Sequence, residues 1–487
     1  MWNRTEGPGA GGANLSDAQG DKHAMGHPVM TTCEPMLVVR SVEKPEHRTG
    51  PYFSAMRFQH VLLLLGLPAL LLPACKKDEG GPPPSVRITT PGDGFDLNVP
   101  DTLHVEADVS GDDGVDMVSF MISDANGIAI MAPVIVVPGS NPAHLSIDLP
   151  VTSEQLTGGE YTLTVRAVSG ELSTKAYVHF DIVPAPLRTR QVLVLVRPDP
   201  GTVAIHVIDS TNTVSMASQL SMDLAGAVVS STTQRYMLAG STQGPLMALA
   251  PSAAQTLWEI PNNGGGATWF TALDLCTDGR CYAGTADSRL RGYNTLTGAL
   301  ERTLQIGGGR RVRHSCIVGD RIVTAESDAL GAAWMTASYQ SMSGVPIAEH
   351  PLALKVVGMY LRNDEQVLFF GDQNGMGTVR DHNVEGGGGW NPYQWNAAIT
   401  AVERVDAGTF IVALDNGSVE RFTYPSSGSV PIAQVDGVND LAYEPVSGLV
   451  YAGTGSDVLA INPQTGQVVM SIAIGAPVAY VLPLLNR

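Results

Sequence analysis

The sequence predicts an all-β protein, a β-sandwich of seven strands followed by a seven-bladed β-propeller. Two observations carry that prediction. Between Ser85 and Val183, short runs alternate apolar with polar residues and are separated by turn residues. From Gln191 onward the chain repeats itself every 39 to 45 residues, the period of a four-stranded propeller blade.

Ahead of the sandwich the elements are short. Residues 1–55 are polar and Gly-rich, and we read them as a mis-assigned or disordered extension ahead of a true start at Met56. Val61–Leu72, VLLLLGLPALLL, follows the basic Met56-Arg57. A membrane-spanning helix needs about 20 apolar residues, so this shorter run fits the apolar region of a signal peptide over residues 56–74. Leu72-Pro73-Ala74-Cys75 then resembles the lipobox of bacterial lipoproteins. That resemblance implies cleavage before Cys75 and lipidation of it, giving a membrane anchor without a spanning helix. Lys76-Lys77-Asp78-Glu79 resembles the signal that sends some Gram-negative lipoproteins to the cell surface; a solvated linker start is the alternative. Residues 75–84 end in Gly80-Gly81-Pro82-Pro83-Pro84, a stiff spacer.

Charge narrows the partners. Residues 1–74 hold six basic and six acidic side chains, so the net charge of −18 belongs entirely to residues 75–487. That excludes nucleic acid or an anionic membrane surface held by bulk electrostatics.

The first domain spans residues 85–183. Its expected strands are SVRIT, TLHVEAD, VDMVSFMI, IAIMAPVIV, AHLSIDL, EYTLTVRAV and KAYVHFDIV. Seven strands in about 100 residues match an immunoglobulin-like sandwich. Gly159 to Ala167, GEYTLTVRA, resembles the tyrosine corner of such domains, which implies that the Tyr161 hydroxyl ties back to an upstream backbone group. Asp112-Asp113-Gly114-Val115 resembles a loop of bacterial Ig-like modules. Asp108, Asp112, Asp113 and Asp116 are weak calcium candidates, with a solvated acidic turn as the alternative.

Residues 184–190, opening with Pro184-Ala185-Pro186, form a linker to the propeller at 191–487. Arg197, Gly240, Gly284, Glu326, Gly371, Leu414 and Gly453 each close an apolar strand, and their spacing sets the period. The first repeat lacks its innermost strand, and PVAYVLPLL from Pro477 is left over. Pairing the two would close the ring and remove an open sheet edge. GYNTLTGALERTLQIG and AINPQTGQVVMSIAIG resemble repeats of the WD40 and quinoprotein-like propellers. The repeats lack the Trp-Asp and Gly-His signatures and the regular Trp of quinoprotein repeats, so no cofactor is expected.

Three Gly-rich stretches are expected to be connections between blades that share one face: residues 264–269, 307–314 and 386–395. They place Trp269, Arg310, Arg311, Arg313, His314, Trp390, Tyr393 and Trp395 on a candidate binding face. Trp, Tyr and Arg dominate interface energetics, and the chain is only 6% aromatic; packing over blade ends is the alternative. Cys276 and Cys281 flank a Thr-Asp-Gly-Arg turn, compatible with a disulfide or with two buried thiols, and no second pair completes a metal site. No catalytic motif is present. The reading is a lipid-anchored outer-membrane protein, at the cell surface or facing the periplasm, whose propeller holds a protein or glycan. Its alternatives are a hydrolase or lyase acting on a carbohydrate or lactone, and an outer-membrane assembly component.

Overall fold

The computed structural model describes residues 81–487, and within them every regular element except one 3-10 turn is a β-strand. The signal peptide, Cys75 and Lys76–Glu79 lie outside the described residues.

Residues 85–183 build two sheets around one apolar core. β1 (Ser85–Thr90), β3 (Asp101–Ser110) and β6 (Ala143–Val151) form one sheet in the order β1-β3-β6. The other runs β2-β8-β7-β4-β5, from β2 (Phe95–Asn98), β4 (Met117–Asp124), β5 (Val134–Val136), β7 (Gly159–Ser169) and β8 (Leu172–Val183). Alternation along β3 and β4 turns Leu103, Val105, Phe120 and Ile122 into the core, as period two requires. The Tyr161 hydroxyl donates to the Thr157 carbonyl at 3.0 Å, the upstream tie that the motif implied.

Two details correct the sequence reading. Residues 128–136 are not one strand: Ile128 closes a turn on the Asp124 carboxylate, Ala129 makes a single bridge to Ser123, and Pro133 interrupts the run, so only β5 forms a strand there. β2 has no counterpart among the expected strands. It pairs in parallel with β8, stacking Phe95 on Phe180 at 4.9 Å.

The rest of the chain forms seven four-stranded antiparallel sheets. The first combines β9 (Thr189–Asp199), β10 (Thr202–Ile208) and β11 (Val214–Leu220) with the C-terminal strand Val478–Leu485, which pairs with β9. The others are consecutive meanders over residues 226–260, 270–305, 311–352, 355–394, 399–434 and 440–473. Each meander's first strand packs beside the first strand of the next sheet. Val478–Leu485 packs against both Asp440–Glu444 and Gly226–Ser230, so the series returns to its start. This is a propeller-like arrangement.

The seams explain the sequence period. Second strands are buried on both faces and read as unbroken apolar runs: Val192–Val196, Tyr236–Ala239, Val367–Phe370 and Phe410–Ala413. Alternate residues of each run enter different seams. Leu193 and Leu195 pack toward the second sheet, whereas Val192, Val194 and Val196 pack toward the seventh. Among the described residues there is one apolar cluster for each of the seven seams.

The third-to-fourth-strand turn also repeats. Asn294, Asn383 and Asn462 each accept two backbone N–H groups through Oδ1. Four residues on, Gly298, Gly387 and Gly466 donate back to the Asn carbonyl with φ of 71°, 64° and 73°. Glycine is needed there twice over at Gly466, because a Cβ would fall 1.6 Å from the Ile432 carbonyl oxygen.

The two folded parts meet at Asn486, which is fully buried. Its side chain accepts from the Arg188 N–H at 3.0 Å and donates to Glu154 at 3.1 Å and to the Pro186 carbonyl at 3.1 Å. Gln155 donates to its carbonyl at 3.2 Å.

Candidate functional site at the central cavity

The first strands of the sheets surround a cavity of ≈ 630 Å³, and all seven contribute to its wall. Each sheet is an antiparallel meander, so its second-to-third-strand turn and its connection to the next sheet leave from the same end. The opposite end carries the first-to-second and third-to-fourth-strand turns, together with Asn486 and the junction to residues 85–183.

Three carboxylates face the cavity: Asp274, Glu403 and Asp440. Each accepts a backbone N–H from the first strand of the following sheet. Ser315 donates to Asp274 at 2.9 Å, Tyr443 to Glu403 at 3.1 Å and Val481 to Asp440 at 2.7 Å. Tyr360 adds a fourth tie, donating its hydroxyl to the Val402 carbonyl at 2.6 Å. These groups latch one sheet to the next. Burial pushes the Glu403 carboxyl up to about 7 and the Asp440 carboxyl up to about 8, and the charge of Glu403 adds to the rise at Asp440. Burial likewise raises the Tyr480 hydroxyl to about 12.

Of the expected site residues, Arg313 and His314 reach this cavity. His314 Nδ1 lies 3.8 Å from Asp274. Arg313 is the extra residue of a β-bulge between Val312 and His314 and donates from Nε to Ser327 Oγ at 2.9 Å. Burial, then the charge of Arg311, pull its guanidinium below the usual arginine range. Arg310 is held elsewhere. It bridges Glu326 and Glu349, each at 2.7 Å, and the fully buried Glu326 also accepts from the Tyr339 hydroxyl at 2.8 Å. Trp269 packs in the seam of the second and third sheets under the Arg291 guanidinium, 5.4 Å from the ring centre.

The expected common face is not formed. Residues 264–269 and 307–310 do connect sheets, but Gly386–Gly388 is a third-to-fourth-strand turn and therefore sits at the opposite end. The Asn383 turn accounts for its glycine at 387. Tyr393 and Trp395 pack against each other at 4.8 Å and against Phe422, and Trp395, 4% exposed, donates to Glu420 at 2.8 Å. Trp390 alone of the three aromatics is exposed, at 55%, on an outermost strand.

Two further expectations are corrected. Cys276 and Cys281 are free thiols. Cys281 pairs with Leu275, so residue 276 points to the other face of the sheet; Cys276 enters the seam of the third and fourth sheets and Cys281 that of the second and third. Cys316 is also a free thiol and lines the cavity. The aspartates do not gather: Asp108 pairs with His144 at 2.9 Å, and Asp116 accepts the Gly170 N–H at 2.7 Å. Among the described residues no cluster of three His, Cys, Asp or Glu is arranged for a metal ion.

The latching carboxylates escaped sequence reasoning. Their only sequence signal is a carboxylate inside an otherwise largely apolar first strand, in ALDL, AVER and NDLAY.

Residues 84–165 match the bacterial Ig domain family. No curated protein matches the chain. Among solved structures, a quinoprotein alcohol dehydrogenase-like protein from Bacteroides thetaiotaomicron is similar at 11% identity and a TM-score of 0.44, covering 82% of this chain and 99% of that one. BamB from Moraxella catarrhalis is similar at 14% identity and a TM-score of 0.37, covering 52% and 77%. The WD40 propeller domain of Doa1 is similar at 13% identity and a TM-score of 0.43, covering 54% and 86%. The propeller-like description of this chain rests on its own strand topology and closed series of seams, and the likeness to the bacterial Ig domain family covers residues 84–165 alone.

Proposed function

We propose that the chain is a lipid-anchored extracytoplasmic binding or scaffold protein. In this reading residues 56–74 are a signal peptide, Cys75 is lipidated, 85–183 form an Ig-like sandwich, and 191–487 form a closed seven-bladed propeller. The propeller holds a protein or glycan at the cell surface, on the face where the sheet-to-sheet connections emerge. The observation that supports it is the placement of the two ends. The Ig-like part joins through Asn486 at one end of the ring, leaving the end that carries Arg311 and Arg313 open to a ligand. Protease shaving of intact cells tests the reading. Digestion of the propeller while a periplasmic control survives supports it; protection until the outer membrane is opened sinks the surface role and favours a periplasmic assembly component.

A second reading has its own support in Glu403 and Asp440, neighbouring carboxyls held near neutrality on a cavity wall. Such a pair suits general acid–base work in a hydrolase or lyase. Their engagement by Tyr443 and Val481 N–H groups favours the latch role. Turnover of glycoside or lactone substrates that Glu403→Gln abolishes, in a variant that melts as the parent does, would reverse that order.

A further inference from the structure

The geometry points to an oxyanion-binding site at the mouth of the cavity, formed by Arg313 with Arg311, that takes a small ligand through a carboxylate or phosphoryl group. The site deepens the binding reading above and rests on it.

Three observations converge. The first is a specialised repeat position. Register shifts mark a bulge at the same point of five first strands, at Thr271, Arg313, Val357, Thr400 and Ala479. Four of the five bulges carry an uncharged side chain, and one carries a guanidinium. A bulge re-aims its residue out of the ladder, and Arg313 lines the cavity.

The second is the absence of a partner. On the flanking third and fourth sheets Arg280, Arg291, Arg302 and Arg310 all meet carboxylates. Arg311 and Arg313 make no ion pair among the described residues, although the chain carries 18 net negative charges. The nearby Asp328 is occupied in its own turn, accepting the Ala332 N–H at 2.8 Å.

The third is repulsion. Arg311 and Arg313 are close enough that one disfavours the charge of the other, in a setting where burial already opposes it. Arg313 lines the cavity and Arg311 lies two residues before it on the same strand, and two unpaired like charges this close are costly unless an anion joins them. With Nε held by Ser327, the Nη edge of Arg313 is left for a two-oxygen acceptor, the geometry that guanidinium groups recognise best.

Calorimetric titration of the purified full chain with glucuronate, inorganic phosphate and neutral glucose tests this. Binding of glucuronate or phosphate but not glucose is expected. Arg313→Gln should weaken it by about 10-fold or more and Arg311→Gln by a few-fold. Arg313→Lys, which keeps the charge but not the fork, should fall between. Arg87→Gln, an exposed change on β1, should leave it unchanged and so controls for overall charge. Preference for glucuronate identifies a sugar carboxylate, and preference for phosphate a phosphoryl group. No binding of either anion up to about 10 mM, or binding that survives Arg313→Gln in a variant melting as the parent does, overturns the site. Shaving is indifferent to both arginines, so failure here and failure of the surface reading are separable.

Discussion

Replacing Asp440 with Asn should change how the ring's stability depends on pH. In the folded chain the Asp440 carboxyl keeps its proton to about 8, against an ordinary value of 3.8. Between those values the folded form binds a proton that the unfolded chain has released, so stability falls as pH rises through the window and levels off above it. Each pH unit of that window costs ~1.4 kcal/mol, which gives about 6 kcal/mol at full strength. The carboxyl also faces the cavity, and the water there screens it, so about half is a better figure. About three units of that window lie between pH 5 and pH 8.5, or about 2 kcal/mol after that halving, so at roughly 2 °C per kcal/mol for a domain of this size the melting temperature should drop by about 4 °C over that range. Asn at 440 keeps an oxygen for the Val481 N–H and carries no charge at any pH. Its melting temperature should therefore lie closest to the parent's at pH 5 and exceed it by several degrees at pH 8.5. Glu403 titrates in the same direction to about 7, so Glu403→Gln combined with Asp440→Asn should give the flattest profile. Melting followed by circular dichroism across that range decides the matter, because other titrating groups cancel between variants. Parallel curves for parent and Asp440→Asn would refute the reasoning, since an ionised Asp440 in the folded ring has no such window.

Other substitutions report on separate parts. Asn486→Ala strands the Arg188 N–H and the Pro186 carbonyl, so it should cost about 1–3 kcal/mol and speed proteolysis in residues 184–188; unchanged melting and cleavage would contradict the junction described. Trp395→Ala opens a hole beside Phe422 and removes a donor from Glu420, so a loss of about 3–5 kcal/mol is expected, read by urea denaturation, with no specific effect on anion titrations. Peptide mapping after alkylation in denaturant should find Cys276, Cys281 and Cys316 all modified without prior reduction; loss of both Cys276 and Cys281 from the modified set would show a disulfide.

Much of the ring was legible because its second strands are buried on both faces. Their apolar runs end at the positions that set the period, from Arg197 to Gly453, and four of those seven residues are glycine. The orphan strand at the C-terminus was legible for the same reason, being apolar beyond the last full repeat. What failed was parity and direction. Counting residues places Cys276 and Cys281 on one hairpin but does not say which faces the two thiols occupy; the pairing of Cys281 with Leu275 does. The run Gly386–Gly389 resembles the other Gly-rich segments in composition, yet one of its glycines serves the Asn383 turn and puts it at the other end of the ring. The latches were invisible because each carboxylate's partner is a backbone N–H some 40 residues away, and a backbone donor leaves no mark in sequence. β2 was missed for a related reason: four residues that pair with a strand about 85 residues later carry little local pattern.

Closure by Val478–Leu485 also orders events in time. The first sheet of the ring is assembled from β9 and a strand almost 300 residues later, so the first part of the ring to be synthesised is the last to be completed. Until then the apolar edge of β9, Val192–Val196, stands open, together with the faces of the first and seventh sheets that it will join. Open edges of this kind template wrong partners. A chain that crosses a membrane from its N-terminus onward would carry that exposed edge throughout transit. Its most vulnerable moment would lie just before its final strand arrives, and a chaperone acting on it would be needed at that point more than at any earlier one.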